Sequence, residues 1–275
     1  MVATPIGNRD DISARAVSVL QSVDLIAAED TRHSARLMSH FQIATPLVAY
    51  HDHGNETQGE RIFAALDAGQ DVALISDAGT PLVSDPGFRL VRSARERAYK
   101  VIPLPGACAA ITALSAAGLP SDRFCFEGFL PAKQSQRRKA LDLLVKETRT
   151  MIFYEAPHRI IAAVEDLLEV FGAEREATLA RELTKTYETV LNGNLSELLA
   201  QIKNDINQQK GEMVVVVRGF DGEVQSAQAH EEERVLKLLL ADLPVKQAAS
   251  LAAKICGGQR NSLYKKALDL KQTEK

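Results

Sequence analysis

The stretch "ALISDAGTPLVSDPG", residues 73–87, decides how the chain folds. Apolar residues run into Ser76-Asp77, then Ala-Gly-Thr-Pro, then a second Ser-Asp-Pro-Gly. This is the pattern of a buried strand that opens into a loop of two tight turns. Loops that follow strands in this way are where α/β proteins hold ligands. The loop carries two aspartates and no Lys or Arg, so the question is what an acidic, Gly/Pro-rich turn would bind.

The same alternation extends on either side. "DLIAAED" (24–30) leads into "TRHSARLMSHF" (31–41), and "PLVAYH" (46–51) into "ERIFAALDAG" (60–69). "DVALISD" (71–77) precedes a helix from about Pro86 to Ala98, and "KVIPLPG" (100–106) precedes "ACAAITALSAAG" (107–118). Strands alternating with helices predict a mostly parallel sheet covered on both faces. The last helix is almost wholly small or apolar, which predicts burial all round. "MVATPIGN" leaves only Met1 to Thr4 before a Pro-x-Gly turn, a short first strand against the usual five or six residues.

At Leu119-Pro120-Ser121-Asp122 the chain turns and a second block begins. "RFCFEGFL", "TMIFYEA" and "GEMVVVVRG" read as strands. "ATLARELT" and "YETVLNGN" are close enough in sequence to be antiparallel neighbours. The expected fold is α/β in two domains: residues 1–120 with a mostly parallel sheet, and residues 121–220 with a mixed sheet. Residues 221–230 are polar and patternless, as a linker would be. Residues 231–275 hold three helical patterns with Gly257-Gly258 between the last two, a helix-turn-helix-like appendix.

Among 275 residues, 45% are hydrophobic and 25% charged, the profile of a soluble globular protein. No apolar run approaches the roughly 20 residues that span a bilayer. The N-terminus lacks the basic start and apolar core of a signal peptide. Cys108, Cys125 and Cys256 are scattered and odd in number, which argues against disulfides or a zinc site and for the reducing cytoplasm. The net charge of −3 gives no global bias toward nucleic acid. Two stretches without acids stand out nonetheless: "PAKQSQRRKA", with Lys133, Arg137, Arg138 and Lys139, and Leu243 to Leu268, with Lys246, Lys254, Arg260, Lys265 and Lys266. Each reads either as a solvated helix face or as a site for a polyanion.

Familiar phosphate cradles are absent: no G-x-G-x-x-G follows a strand and no G-x-x-x-x-G-K-[ST] occurs. Neither a G-x-S-x-G elbow nor H-E-x-x-H is present. His51 and His53 in "YHDHGNE" are a weak metal pattern, better read as a turn or a substrate contact. Carboxylates and backbone amides suit a ligand with hydroxyls, an adenine edge and a positive charge. S-adenosylmethionine has all three, although Asp77 also reads as a turn cap.

Four stretches taken together are "TPIGNRDDIS", "DLIAAEDTRHS", "SDAGTPLVSDPG" and "PLPGACAAITALSAAGLPSDRFCFEGFLP". With "IFYEAPHR", "LARELTKTYE", "KGEMVVVV" and the tail "LPVKQAASLAAKICGGQRNSLYKKAL", the chain resembles the tetrapyrrole methylase superfamily. Within it, the chain resembles the ribosomal RNA small-subunit methyltransferase I family along nearly its whole length. The resemblance implies S-adenosylmethionine in a cleft between two α/β domains. It implies 2′-O-methylation of a cytidine in the decoding region of 16S rRNA in the small ribosomal subunit, by a homodimer. The short first strand departs from the family, which carries apolar residues ahead of "TPIGN".

On this reading Ser76, Asp77, Ala78, Gly79 and Val83 lie against the cofactor, glycine letting backbone approach it closely. Gly106, Cys108 and Ala109 form the next wall, opening a helix whose N-terminal amides bind a carboxylate. By resemblance Tyr154, Ala180, Met213 and Val214 come from the second domain, Met213 reading equally as core. Methyl transfer to a ribose hydroxyl needs positioning and a proton acceptor, and no metal. Asp30 in "AEDTRH" is the candidate base, with Arg32 holding RNA phosphate or the acid itself. Asp30 reads equally as a helix N-cap. Glu127, Glu155 and Arg181, also at strand ends, are its rivals. Lys133, Arg137, Arg138, Lys139, Lys265 and Lys266 are the RNA-binding candidates. Two other functions fit less well. A tetrapyrrole carbon methylase would need an apolar trough and no basic tail. A non-catalytic RNA-binding protein would be expected to lose "SDAGTP", which is intact.

Overall fold

In the computed structural model, which describes residues 1–52, 56–257 and 260–273, short apolar runs build the first sheet. Its elements are α1 (Ala14–Ser22), β1 (Leu25–Ala28), α2 (Thr31–His40), β2 (Leu47–Ala49), α3 (Glu56–Asp67), β3 (Val72–Ile75) and α4 (Phe88–Glu96). The strands lie in the order β2-β1-β3, all parallel, with Ala27 of β1 beside both Val48 and Leu74. Side chains alternate faces along a strand. Ile26, Ala28, Ala73 and Ile75 therefore pack on Leu20 of α1 and Met38 of α2. Leu25, Ala27 and Leu74 pack on Ile62 and Phe63 of α3 and Leu90 of α4. Burial on both faces is what a parallel sheet demands, and β1 is buried along its whole length.

The chain then passes through α5 (Ala109–Ala116) to a five-stranded sheet. This second half holds β4 (Phe124–Phe129), α6 (Gln134–Asp142), β5 (Thr150–Glu155), α7 (Ile160–Phe171), β6 (Glu176–Arg181), β7 (Thr189–Asn194), α8 (Leu195–Asn204) and β8 (Met213–Val217). The order is β4-β5-β8-β6-β7; β4 and β5 are parallel and the other pairs antiparallel, so the sheet is mixed. Met151, Phe153, Leu179 and Val215 pack against α7 and α8. Ile152, Ala180, Val214 and Val216, on the other face, pack against Ala110 and Ala113 of α5. Each large side chain buried in this way contributes roughly 1.5–3 kcal/mol.

Both sheets lie within one compact unit, Met1–Gly219, and the expected boundary at residue 120 falls between them. A second unit, Phe220–Lys275, contains α9 (Gly222–Asp242), α10 (Val245–Cys256) and α11 (Arg260–Thr273). Its core is Val235, Leu236, Ala249, Ala252, Leu263 and Ala267. Gly257 ends α10 in the left-handed region, φ 73°; Gly258 lies outside the described residues.

Three expectations need correction. Residues 221–230 are not a linker, because α9 starts at Gly222; the stretch is polar but rich in Glu, Gln and Ala, all good helix formers. "KVIPLPG" is no strand and pairs only through a single bridge, Val2 to Leu104. Pro103 and Pro105 supply no ladder donors. Helix α5 is buried on one side only, with Ile111 49% exposed, because it lies on a single sheet face.

Candidate active site

The loop after β3 is held by its neighbours rather than by its own turns alone. Thr4 and Gly79 exchange backbone hydrogen bonds of 2.9 and 3.0 Å, the Thr4 hydroxyl donates to the Ser76 carbonyl, and the Thr80 hydroxyl donates to the Ala107 carbonyl. Gly79 has φ 86°, and the non-glycine residues Leu82 and Ser84 have φ 74° and 64°. Left-handed backbone at bulky residues is held only where the surroundings enforce it, and such strain gathers at functional sites.

This loop forms one wall of a cavity of about 340 Å³, a volume within the range of small-molecule sites. Ala78, Gly79, Thr80, Val83, Ser84 and Asp85 come from the loop, and Cys108 and Ala109 from the start of α5. Tyr154, Glu155, Ala156 and Pro157 come from the end of β5, Ala180 and Leu183 from β6 and just after it, and Glu212, Met213 and Val214 from the start of β8. Ile6 and Phe129 complete the lining. Cys108 caps α5 without a side-chain hydrogen bond, and the Ala110 N–H donates to the Tyr154 hydroxyl at 3.1 Å. Burial holds that phenol well above its ordinary pKa.

The cavity is acidic. Glu155 is 3% exposed; its Oε1 accepts from the Ala156 N–H at 2.8 Å and pairs with Arg159 at 2.5 Å. Its Oε2 is buried without a partner. A buried carboxylate oxygen is costly to leave unpaired, so this atom points to a ligand with a donor. Burial pushes the Asp85 carboxyl up to about 6, with the charges of Glu29 and Asp77 adding to the rise and the Ser76 hydroxyl opposing it. Burial, then Asp77, raises Glu29 as well.

Of the residues expected at the cofactor, Ala78, Gly79, Val83, Cys108, Ala109, Tyr154, Ala180, Met213 and Val214 line this cavity. Ser76 and Asp77 line a neighbouring one instead. Gly106 packs on Ala3, where an added Cβ would lie 2.6 Å from that methyl. Asp30 is the N-cap of α2, accepting from the Arg32 and His33 amides at 2.8 and 3.3 Å, and these bonds lower its pKa. The Arg32 side chain is 93% exposed, with its Nε 3.7 Å from Asp30 Oδ1. Glu127 is exposed at a register shift between β4 and β5. Arg181 is buried and bonds Thr189, Gln208 and the Lys210 carbonyl. Glu155 alone of the expected acids reaches the cavity. Asp85, Ile6, Leu183 and Glu212 are lining residues the pattern did not single out; Asp85 is the second Ser-Asp of the opening stretch.

The basic candidates also divide. Arg137 is a buried partner of Asp166 at 2.7 Å, and Arg138 pairs with Asp166 and Glu169. Lys266 pairs with Glu232 at 2.6 Å. Lys133, Lys139 and Lys265 are exposed. His53 lies outside the described residues, so the His51/His53 pair has no described geometry.

Two α/β halves around a strand-end cavity define the class. Residues 1–199 match the family model Tetrapyrrole (Corrin/Porphyrin) Methylases, and residues 226–271 match the RsmI C-terminal HTH domain. Cobalt precorrin-4 methyltransferase, a cobalamin biosynthetic enzyme, is similar with a TM-score of 0.59 at 13% identity, over 79% of this chain and 92% of that one. Uroporphyrin-III C-methyltransferase from Thermus thermophilus, complexed with S-adenyl homocysteine, has a TM-score of 0.54 at 14% identity, over 79% and 95%. Ribosomal RNA small subunit methyltransferase I from Pseudomonas aeruginosa is 58% identical over 98% of this chain and 95% of its own. The chain belongs to the ribosomal RNA small subunit methyltransferase I family of the tetrapyrrole methylases. The lining fits that family's cofactor, S-adenosylmethionine: apolar walls for adenine, backbone amides, and carboxylates for its cationic groups.

Proposed function

We propose that this protein transfers the methyl group of S-adenosylmethionine to the 2′-hydroxyl of a cytidine in the decoding region of 16S rRNA, acting as a cytoplasmic homodimer. The observation that carries the reading is the 58% identity to an rRNA methyltransferase along almost the entire chain, the helical tail included. No helix among the described residues is long and apolar enough to cross a membrane.

When bound, the cofactor supplies a methyl group on a sulfonium, so the protein's tasks are to orient the ribose and take its proton. Ala78, Gly79, Cys108 and Ala109 offer backbone to the cofactor, and Val83, Met213 and Val214 offer apolar walls. Glu155 Oε2, buried and without a partner, would accept a hydrogen bond from the cofactor's amine or hydroxyl groups. Asp85 takes the proton. A carboxyl titrating near 6 is ionised at neutral pH yet more basic than an ordinary one, which is what a general base needs. Asp30 is the poorer base, because two amides already hold its ionised form.

The test is incubation with methyl-labelled S-adenosylmethionine and small ribosomal subunits from a strain lacking this gene. Label is expected in one cytidine whose 3′ linkage becomes resistant to alkali. Label on a base, or none, overturns the reading.

A further inference from the structure

We propose that the second cavity beside the cofactor loop is a phosphate subsite, which holds a backbone phosphate of the RNA next to the ribose being methylated. The inference rests on the function proposed above and assigns the site that presents its substrate. The cavity has a volume of about 240 Å³, and its lining includes Arg9, His33, Ser34, Arg36, Ser76 and Asp77.

Three observations support it. The first is position. Ser76 and Asp77 line this cavity, and the next two residues, Ala78 and Gly79, line the cofactor cavity. One stretch of backbone, pinned by the Thr4–Gly79 pairing, thus borders both. The second is the state of the cations. Arg137, Arg138, Arg149 and Arg159 of the same unit are paired with carboxylates. Arg9 and Arg36 have no carboxylate partner among the described residues; Arg9 Nη1 lies 3.3 Å from His40 Nδ1. The third is Ser34. It is 3% exposed, lines the cavity, and its hydroxyl has no hydrogen-bond partner.

Two guanidinium groups, an imidazole and an unsatisfied hydroxyl make a set of donors. The opposing acid is Asp77, and its Oδ1 already accepts from the Asp30 N–H at 3.0 Å. A ligand with several acceptor oxygens and a negative charge fits; guanidinium groups favour phosphate. RNA carries a phosphate on each side of every ribose, so a nucleotide whose ribose enters the cofactor cavity brings one to its border.

The experiment compares the full-length protein with Arg9→Gln/Arg36→Gln and with Ser34→Ala, using unmethylated small subunits as substrate over a range of salt. For the double variant KM is expected to rise about tenfold or more, with kcat within twofold and cofactor affinity by calorimetry unchanged. The salt dependence of KM should become shallower by roughly one to two phosphate contacts. Ser34→Ala should raise KM severalfold. The arginines are exposed, so folding is expected to survive, and the cofactor titration reports it. An unchanged KM, or a raised KM with the original salt slope, overturns the proposal. A fall in cofactor affinity in the double variant also overturns it, by giving the cavity to the cofactor's carboxylate. If the wild-type protein itself transfers no methyl to small subunits, the functional reading has failed instead. A filter assay of inorganic pyrophosphate competing with small-subunit binding then tests the cavity alone: competition lost in the double variant sustains an anion site, and competition retained removes it.

Discussion

The loops after β1 and after β3 leave adjacent parallel strands at the same edge, and both are acidic, yet their aspartates meet different fates. After β1 the next helix begins at once. Asp30 caps it, accepting two amide hydrogen bonds that hold the carboxylate in its ionised form. After β3 the chain runs through residues 76–87 before α4 begins. Gly87, the residue that precedes that helix, has φ 129° and makes no side-chain cap bond. Its N–H is instead satisfied by Asp52 Oδ2 at 3.0 Å, while Asp52 Oδ1 accepts from the Tyr50 hydroxyl. Asp52 serves the start of α4, and Asp85 faces the cavity, where burial raises its pKa to about 6. An acid after a strand is chemically available only when no helix amide claims it.

The largest effect that can break this contrast is kinetic. Asp85→Asn is expected to lower kcat by about 10² or more, the range for a lost general base, with cofactor affinity little changed. Asp30→Asn should lose only severalfold, since an amide oxygen still caps α2. The wild-type kcat/KM should fall as pH drops through about 6, when Asp85 takes up its proton. The rate ratio of the two variants and the acid limb of the wild type decide it. Asp30→Asn as the slower enzyme would return the base to the first loop.

Much of this was legible in the sequence. Short apolar runs alternating with helical patterns place both sheets, and β6 and β7 pair antiparallel as their closeness suggests. The cavity-lining segments 78–79 and 108–109 follow a strand or open a helix, where sites in such folds gather, and 213–214 begin β8. What was hidden depends on contacts distant in sequence. Nothing local says that Asp166, on α7, binds both Arg137 and Arg138, so two of the four basic residues expected at RNA belong to a structural ion-pair cluster. Asp85 was hidden likewise, because its raised pKa depends on burial and on Glu29, a residue more than fifty positions upstream. The proline-broken strand at 100–106 and the helix over 222–230 were readable from composition: two prolines in the one, and helix formers in the other.

An intermediate effect sharpens the geometry of the second loop. Gly79 pairs with Thr4 at φ 86°, and a Cβ there would lie 3.3 Å from Ile6 Cγ2, a cavity-lining side chain. Gly79→Ala is expected to strain the backbone by roughly 1–2 kcal/mol and to press Ile6 toward the cofactor. Calorimetry should show cofactor affinity reduced about tenfold. Unchanged affinity would mean that the loop is more compliant than its pairing implies.

The smallest effect is in stability, where the two acids have opposite signs. Asp85 titrates near 6 in the folded protein, above the ordinary carboxylate range. Ionising it costs more folded than unfolded, so it penalises the native state as pH rises from about 4 through 6, and fully above that. Asp85→Asn removes the penalty. The side chain is only half-buried, and solvent screening keeps the gain small, about 2 °C in Tm at pH 8 and nothing near pH 4. For Asp30 the amide bonds lower the folded pKa. Its contribution is present at neutral pH and is lost as pH falls through that lowered value. Asp30→Asn should therefore lower Tm slightly at pH 8 and converge with wild type in acid. Melting curves of both variants at pH 4, 6 and 8 measure the pair. Parallel shifts of one sign at every pH would show that the helix amides do not set the two carboxyls apart.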